Sequence, residues 1–171
     1  MARPSVLERS VEIAAPVGAV FDFHLDTRNA ALISPAGTRV VSVQGSFPIE
    51  AGDLVTMRMR QRPVPVTMGW RVRIESIDPD RRIVDVAERS PFAHWRHEHL
   101  FRELGPERTL MTDRVSYRLP AGRLGRLVER LAVRRQLEAA FAERQRRTRE
   151  VLEERVHGRD DEVMSLSLIH I

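Results

Sequence analysis

The chain has 171 residues, 42% apolar and 30% charged, with no cysteine, which fits one globular domain with a sizeable core and excludes disulfide scaffolds, thiol nucleophiles and cysteine-ligated metal. Its 28 basic residues are all arginine and outnumber the acidic ones by only four, so the high isoelectric point reflects missing lysine and is no sign of nucleic-acid binding. No apolar run approaches a secretory signal or a membrane span, and the expectation is a cytoplasmic protein without an integral membrane segment.

Leu7, Arg9, Val11 and Ile13 alternate with Glu8, Ser10 and Glu12, the period of a half-buried strand over residues 6–14. Pro16 then stands where a helix can start without losing a hydrogen bond, and Val17, Val20, Phe21 and His24 follow at helical spacing, which predicts a short helix over 17–24. A second short helix is expected over 27–32, ended by Ser34-Pro35 because proline disfavours helical geometry in the residue before it.

From 38 to 118 the chain is broken at short intervals by Gly45, Pro48, Gly52, Asp78-Pro79-Asp80, Ser90-Pro91 and Gly105-Pro106. That punctuation predicts an antiparallel meander with strands at 38–44, 52–60, 65–76, 82–88, 93–103 and 109–118. After Pro120 there is no further proline, and Leu, Ala, Glu, Gln and Arg dominate, the composition of a long helix. Leu124, Leu127, Val128 and Leu131 make one apolar stripe, and Leu137, Phe141, Thr148, Val151 and Leu152 make another. Arg134 and Arg135 interrupt them, so a break is expected near 131–135 and the helix after it is expected to end about 156. Residues 1–158 form the expected domain. Residues 159–171, closing on Met164-Ser-Leu-Ser-Leu-Ile-His-Ile171, are expected to be a disordered or non-native tail.

On the strand 93–103, alternation puts Trp95, His97, His99 and Phe101 on one face, and the aromatic set is expected to face the core. An antiparallel neighbour through Gly105-Pro106 brings Met111, Asp113, Val115 and Tyr117 beside them. Two histidines, a carboxylate and a phenol then share an apolar interior, either bonding one another or offering hydrogen bonds to a ligand. Two imidazoles and a carboxylate can also hold a metal, but nothing else in the sequence asks for one, so no metal and no cofactor are expected. Arg71 and Arg73 alternate with Trp70, Val72 and Ile74 and are assigned to the solvent face. The interleaved Arg and Glu of the long helix, with no aromatic residues between the surface arginines, describe a solvated face with no nucleic-acid partner.

Three segments carry a resemblance: Val11-Glu12-Ile13-Ala14-Ala15-Pro16 followed by Val20-Phe21-Asp22-Phe23; Ser90-Pro91-Phe92-Ala93-His94-Trp95-Arg96-His97-Glu98-His99-Leu100-Phe101; and Thr112-Asp113-Arg114-Val115-Ser116-Tyr117-Arg118-Leu119-Pro120. Over about residues 6–155 the chain resembles the START-related (SRPBCC) ligand-binding superfamily, and within it the bacterial cell-division-inhibitor-like or polyketide cyclase-like branch. The resemblance implies an α+β helix-grip fold: a curved antiparallel seven-stranded sheet around a long C-terminal helix, with two short helices after the first strand.

The expected function is binding of a small hydrophobic molecule, lipid- or polyketide-like, in a cavity between sheet and helix. Met57, Met68, Trp70, Leu137 and Phe141 are the expected apolar contacts, with Val55, Met59, Val66 and Val72 as further wall. Trp95, His97, His99, Phe101, Asp113 and Tyr117 are expected to line and orient the ligand. The alternative is an enzyme of cyclase or aromatase type, in which His97, His99, Asp113 and Tyr117 are the candidate acid-base groups.

Overall fold

The structure, a computed structural model, describes residues 3–61, 66–120 and 132–167, with side chains to 158. Its strands are β1 (Ser5–Ile13), β2 (Thr38–Gln44), β3 (Leu54–Gln61), β4 (Thr67–Asp78), β5 (Arg82–Arg89), β6 (His94–Gly105) and β7 (Arg108–Arg118). Helix α1 (Val17–Leu25) follows β1, then a 3-10 helix (Thr27–Ala31), and helix α2 (Arg134–Ser167) closes the chain. Each predicted strand is present within about two residues of its expected ends. The second short helix is a 3-10 turn, opened by Asp26, whose carboxylate accepts from the Arg28 amide at 3.0 Å.

The strands form one antiparallel sheet in the order β1-β7-β6-β5-β4-β3-β2. The meander from β2 to β7 explains most of that order, and β1 adds to β7 at the far side, Leu7 opposite Val115 and Ile13 opposite Thr109. Register shifts in β2 against β3 and in β4 against β5 place extra residues that bend and twist a sheet. The inner face is apolar: Leu7, Ile13, Val55, Val72, Ile74, Ile83, Met111 and Val115 are all buried. The outer face carries the arginines in cross-strand ion pairs, Arg73 and Arg71 with Glu88 at 2.5 and 3.4 Å and Arg96 with Glu75 at 2.9 Å. Pairs so exposed contribute little to stability, about 0–1 kcal/mol each; their consequence is that the other face is left for the core.

Helix α2 lies across that inner face. Phe141 stacks on Trp95 with ring centroids 6.4 Å apart, Leu152 joins the core built on Ile13, Val20 and Phe21, and Glu153 accepts from the Ala14 amide at 2.9 Å. It begins at Arg134, where the arginine pair interrupts the apolar stripe, and it continues through Gly158 to Ser167. One glycine costs a helix only about 1 kcal/mol relative to alanine, and no proline follows to end it. The earlier stripe, Leu124 to Leu131, lies outside the described residues. No described helix is long and apolar enough to cross a membrane.

Thr109, fully buried, donates from Oγ1 to the Ala15 carbonyl at 2.8 Å and ties β7 to the turn that leads into α1. Thr109→Val keeps the shape and removes the donor, so urea unfolding is expected to show a loss of about 1–2 kcal/mol. A variant as stable as the parent would mean that the bond contributes nothing.

Candidate functional site

The inner face and α2 do not meet everywhere. Between them lies a cavity of about 460 Å³, within the range of small-molecule sites. Its wall includes Met57, Met59, Met68, Trp70, Val72, Trp95, Leu137 and Phe141, side chains whose thioethers and rings pack against irregular shapes. Trp70 and Trp95 meet edge to face at 5.0 Å, so both tryptophans of the chain stand in this wall. Val55 is fully buried in the core behind the wall, and Val66, assigned to it from the sequence, is instead 57% exposed just before β4. An alternation pattern fails there because the residue precedes the strand that would fix its side.

At one side of the cavity the wall turns polar. Cross-strand register places Asp85 of β5 opposite His97 of β6, and His99 opposite Asp113 of β7, so four ionisable side chains share the inner face of three adjacent strands. Asp113 is 1% exposed. Its Oδ1 accepts from His97 Nε2 at 2.9 Å and stands 3.0 Å from His99 Nδ1, off the line of a hydrogen bond. Its Oδ2 accepts from Gln145 Nε2 of α2 at 2.7 Å, and the same amide also donates to the Arg9 carbonyl of β1. One buried carboxylate therefore joins β7, β6 and the helix.

The charge state follows from burial and these partners. Burial raises the Asp113 carboxyl, but the hydrogen bond from His97 and the close approach and charge of both histidines outweigh it and hold the group well below the usual carboxylate range. Desolvation lowers His97 against the pull of Asp113, and desolvation together with His97 lowers His99 to about 4. Asp85, with no hydrogen bond of its own, is pushed up by burial to about 6 although His99 and Arg144 oppose the shift. Near neutral pH the histidines are thus uncharged, while Asp85 titrates within reach of physiological pH.

His24, from α1, comes up beside His99 with ring centroids 5.1 Å apart. Its Nδ1 donates to the Val20 carbonyl at 2.7 Å, which leaves an Nε2 lone pair that has no partner among the described residues. Trp70 Nε1 and Arg144 Nε are likewise buried without a partner, and all three residues belong to the cavity wall. Unmet buried polar atoms are uncommon in native interiors; with His99 Nδ1 four belong to residues of this wall, and those of His24, Trp70 and Arg144 give its polar side two donors and an acceptor.

Of the residues expected from the sequence, Met57, Met68, Trp70, Trp95, His97, His99, Leu137 and Phe141 line the cavity. Phe101, Asp113 and Tyr117 do not. Phe101 packs edge to face on Phe21 in the core, Tyr117 on Phe92, and Asp113 stands behind the two histidines. Asp85, His24, Arg144 and Gln145 were not singled out. Asp85 falls at the same parity as Ile83 and Ala87 in β5, so a carboxylate on an inward position was its available signal. Arg144 and Gln145 lie three and four residues beyond Phe141, on the apolar stripe itself.

Comparison with known proteins gives the same picture. The family described as polyketide cyclase / dehydrase and lipid transport matches residues 13–141. No curated protein matches the sequence. Among solved structures, protein CV1439 from Chromobacterium violaceum is 14% identical, with a TM-score of 0.70 over 88% of this chain and 99% of that one. The Zhui aromatase/cyclase from Streptomyces sp. R1128 is 20% identical, with a TM-score of 0.68 over 89% and 95%. A START superfamily protein from Mycobacterium smegmatis is 14% identical, with a TM-score of 0.58 over 85% and 98%. Likenesses at these identities establish the helix-grip fold.

Proposed function

Since the chain belongs to the polyketide cyclase / dehydrase and lipid transport family, we propose that it binds a small, largely apolar molecule bearing oxygen substituents in the cavity between sheet and α2. The observation that carries this reading is the division of the wall: methionines and aromatic rings over most of it, and unmet polar atoms of His24, Trp70 and Arg144 at one side. An aliphatic or aromatic body gains from leaving water against the first part. A carbonyl or phenolic oxygen suits the N–H groups of Trp70 and Arg144, and a hydroxyl suits the lone pair of His24.

A second reading has its own support. The Asp113–His97 pair holds a neutral imidazole in one orientation beside Asp85, whose carboxyl sits near 6, a combination suited to moving protons on a bound carbonyl compound. The likeness to an aromatase/cyclase favours such chemistry on a polyketide-like substrate. Asp113 would then act as a positioning residue and Tyr117, away from the cavity, would take no part.

Native mass spectrometry of the purified chain, followed by organic extraction, is expected to reveal a co-purifying apolar compound. Titration with polycyclic phenols and fatty acids is expected to change tryptophan fluorescence, because both tryptophans stand in the wall. A clean apo mass together with unchanged fluorescence across the panel would overturn the binding reading. His97→Ala separates the two readings: loss of turnover of a cyclisable substrate with apolar binding retained marks an enzyme, and absence of turnover in the parent leaves a binding protein.

A further inference from the structure

The cluster at the polar side of the cavity has a feature that ligand binding does not require. Because the Asp113 carboxylate accepts from His97 Nε2, the ring proton of that imidazole is held on the side away from Asp85, and the same carboxylate, 3.0 Å from His99 Nδ1, favours the His99 proton on that side too. The remaining nitrogens, His97 Nδ1 and His99 Nε2, then carry lone pairs. They stand 3.6 and 3.9 Å from Asp85 Oδ2. Three acceptors face one another there with no donor between them, at distances too long for a hydrogen bond.

Those distances suit a shared cation. Ligand atoms bound at about 2.0–2.2 Å around a tetrahedral zinc ion lie roughly 3.3–3.6 Å apart, and one potential ligand atom from each of Asp85, His97 and His99 lies within 4.8 Å of the others. Small side-chain rotations close the difference. The arrangement behind them is also that of a metal site: a histidine that binds metal through one nitrogen donates from the other to a carboxylate, which fixes its tautomer and orientation. Asp113 does this for His97 and is placed to do it for His99, and Gln145 in turn holds Asp113.

We propose that Asp85, His97 and His99 form a three-ligand site for a divalent transition-metal ion of the zinc class, braced from behind by Asp113 and with its open coordination position toward the cavity. Two imidazoles and one carboxylate are a donor set used by such ions. The open position would set the metal where a ligand oxygen enters, so the site supplies an anchoring or polarising group beyond hydrogen bonding. Arg144 belongs to the same wall, and its positive charge weakens the hold on a dication. The expected affinity is therefore lower than that of the same three ligands without the arginine.

The test uses the full chain stripped with chelator and titrated with zinc chloride, followed by calorimetry and by nitrogen NMR of the histidine rings. One equivalent of zinc is expected to bind and to shift His97 Nδ1 and His99 Nε2, with the rings of His94 and His157 unmoved. Asp85→Asn is expected to weaken zinc at least tenfold, and Asp113→Asn to weaken it about 10–100-fold through the orientation of the rings. The proposal is overturned by absence of stoichiometric binding, or by zinc that shifts other histidines and leaves these two unchanged. The ring shifts of the parent protein decide the matter even if a variant does not fold. Because zinc is added without any organic ligand, failure here leaves the cavity-binding reading standing, and failure of ligand binding leaves this site standing.

Discussion

Asp113→Ala is expected to cost about 3–5 kcal/mol of folding stability, a large fraction of the roughly 5–15 kcal/mol that keeps a domain folded. The carboxylate is 1% exposed and receives hydrogen bonds from His97 and Gln145 at 2.9 and 2.7 Å. Alanine leaves both donors buried, at about 1–3 kcal/mol for each unmet group. It also cuts the link through which Gln145 joins α2 to β7, although the bond from Gln145 to the Arg9 carbonyl remains. Asp113→Asn keeps the volume and offers one acceptor and one donor. With the present His97 tautomer it can serve His97 or Gln145 but not both, and serving both requires the His97 proton to move to Nδ1, so its expected loss is smaller, about 1–3 kcal/mol. Urea unfolding of the three proteins at pH 7 measures the series. An alanine variant within 1 kcal/mol of the parent would show that the residue is not the tie that its contacts describe.

The same residue shows how far the sequence could be read. Alternation along 94–103 and 109–118 fixes which side chains face inward, so the meeting of His97, His99 and Asp113 on one face was legible before any coordinates, whereas the exact register depends on an irregularity between Glu103 and Gly105 that the sequence does not announce. Period and punctuation likewise located the seven strands, because each runs between glycine or proline breaks and has one apolar face. Three things were not legible in the same way. Asp85 comes from a strand in which Ile83, Val84 and Val86 are all apolar, so its parity with Ile83 and Ala87 is a weak signal there, diluted by apolar residues on both faces. Arg144 reads as part of a solvated helix face and Gln145 carries no sequence signal of its own, since an arginine or glutamine on an apolar stripe looks like an interruption until something polar is known to lie across from it. Tyr117 was placed on the right face, but the face is longer than the cavity: its ring packs on Phe92, and distance along a strand from a cavity not yet located has no counterpart in a repeat of two.

Acid is expected to unfold the protein largely through His24. The ring is buried, and desolvation, then the charges of His99 and Arg144, lower it to about 3, with the Val20 carbonyl and Asp113 opposing. A histidine whose folded value lies below its unfolded value of 6.5 gives stability that is complete above 6.5 and is lost as pH falls toward 3, because the unfolded chain takes the proton first. Between pH 7 and pH 4 that loss is about 3 kcal/mol. Its neighbours partly cancel. His99, lowered to about 4, loses stability in the same direction. Asp85, raised to about 6, does the reverse: its buried charge is a cost above 6 that protonation relieves as pH falls toward 3.8. Those two contributions are each about 2–3 kcal/mol across this range and opposite in sign, which leaves His24 and His97, also lowered by burial, to set the net loss. Asp113 adds its own loss only below its unfolded value of 3.8. His24→Phe keeps an aromatic ring among Phe23, His99 and Phe101 and removes the titration. Urea unfolding at pH 7 and pH 4 with chelator present is therefore expected to show the parent losing about 3 kcal/mol more than the variant. Equal losses in the two proteins would mean that the imidazole takes its proton inside the fold without strain, and the acid sensitivity would then belong to the other buried histidines, His97 and His99.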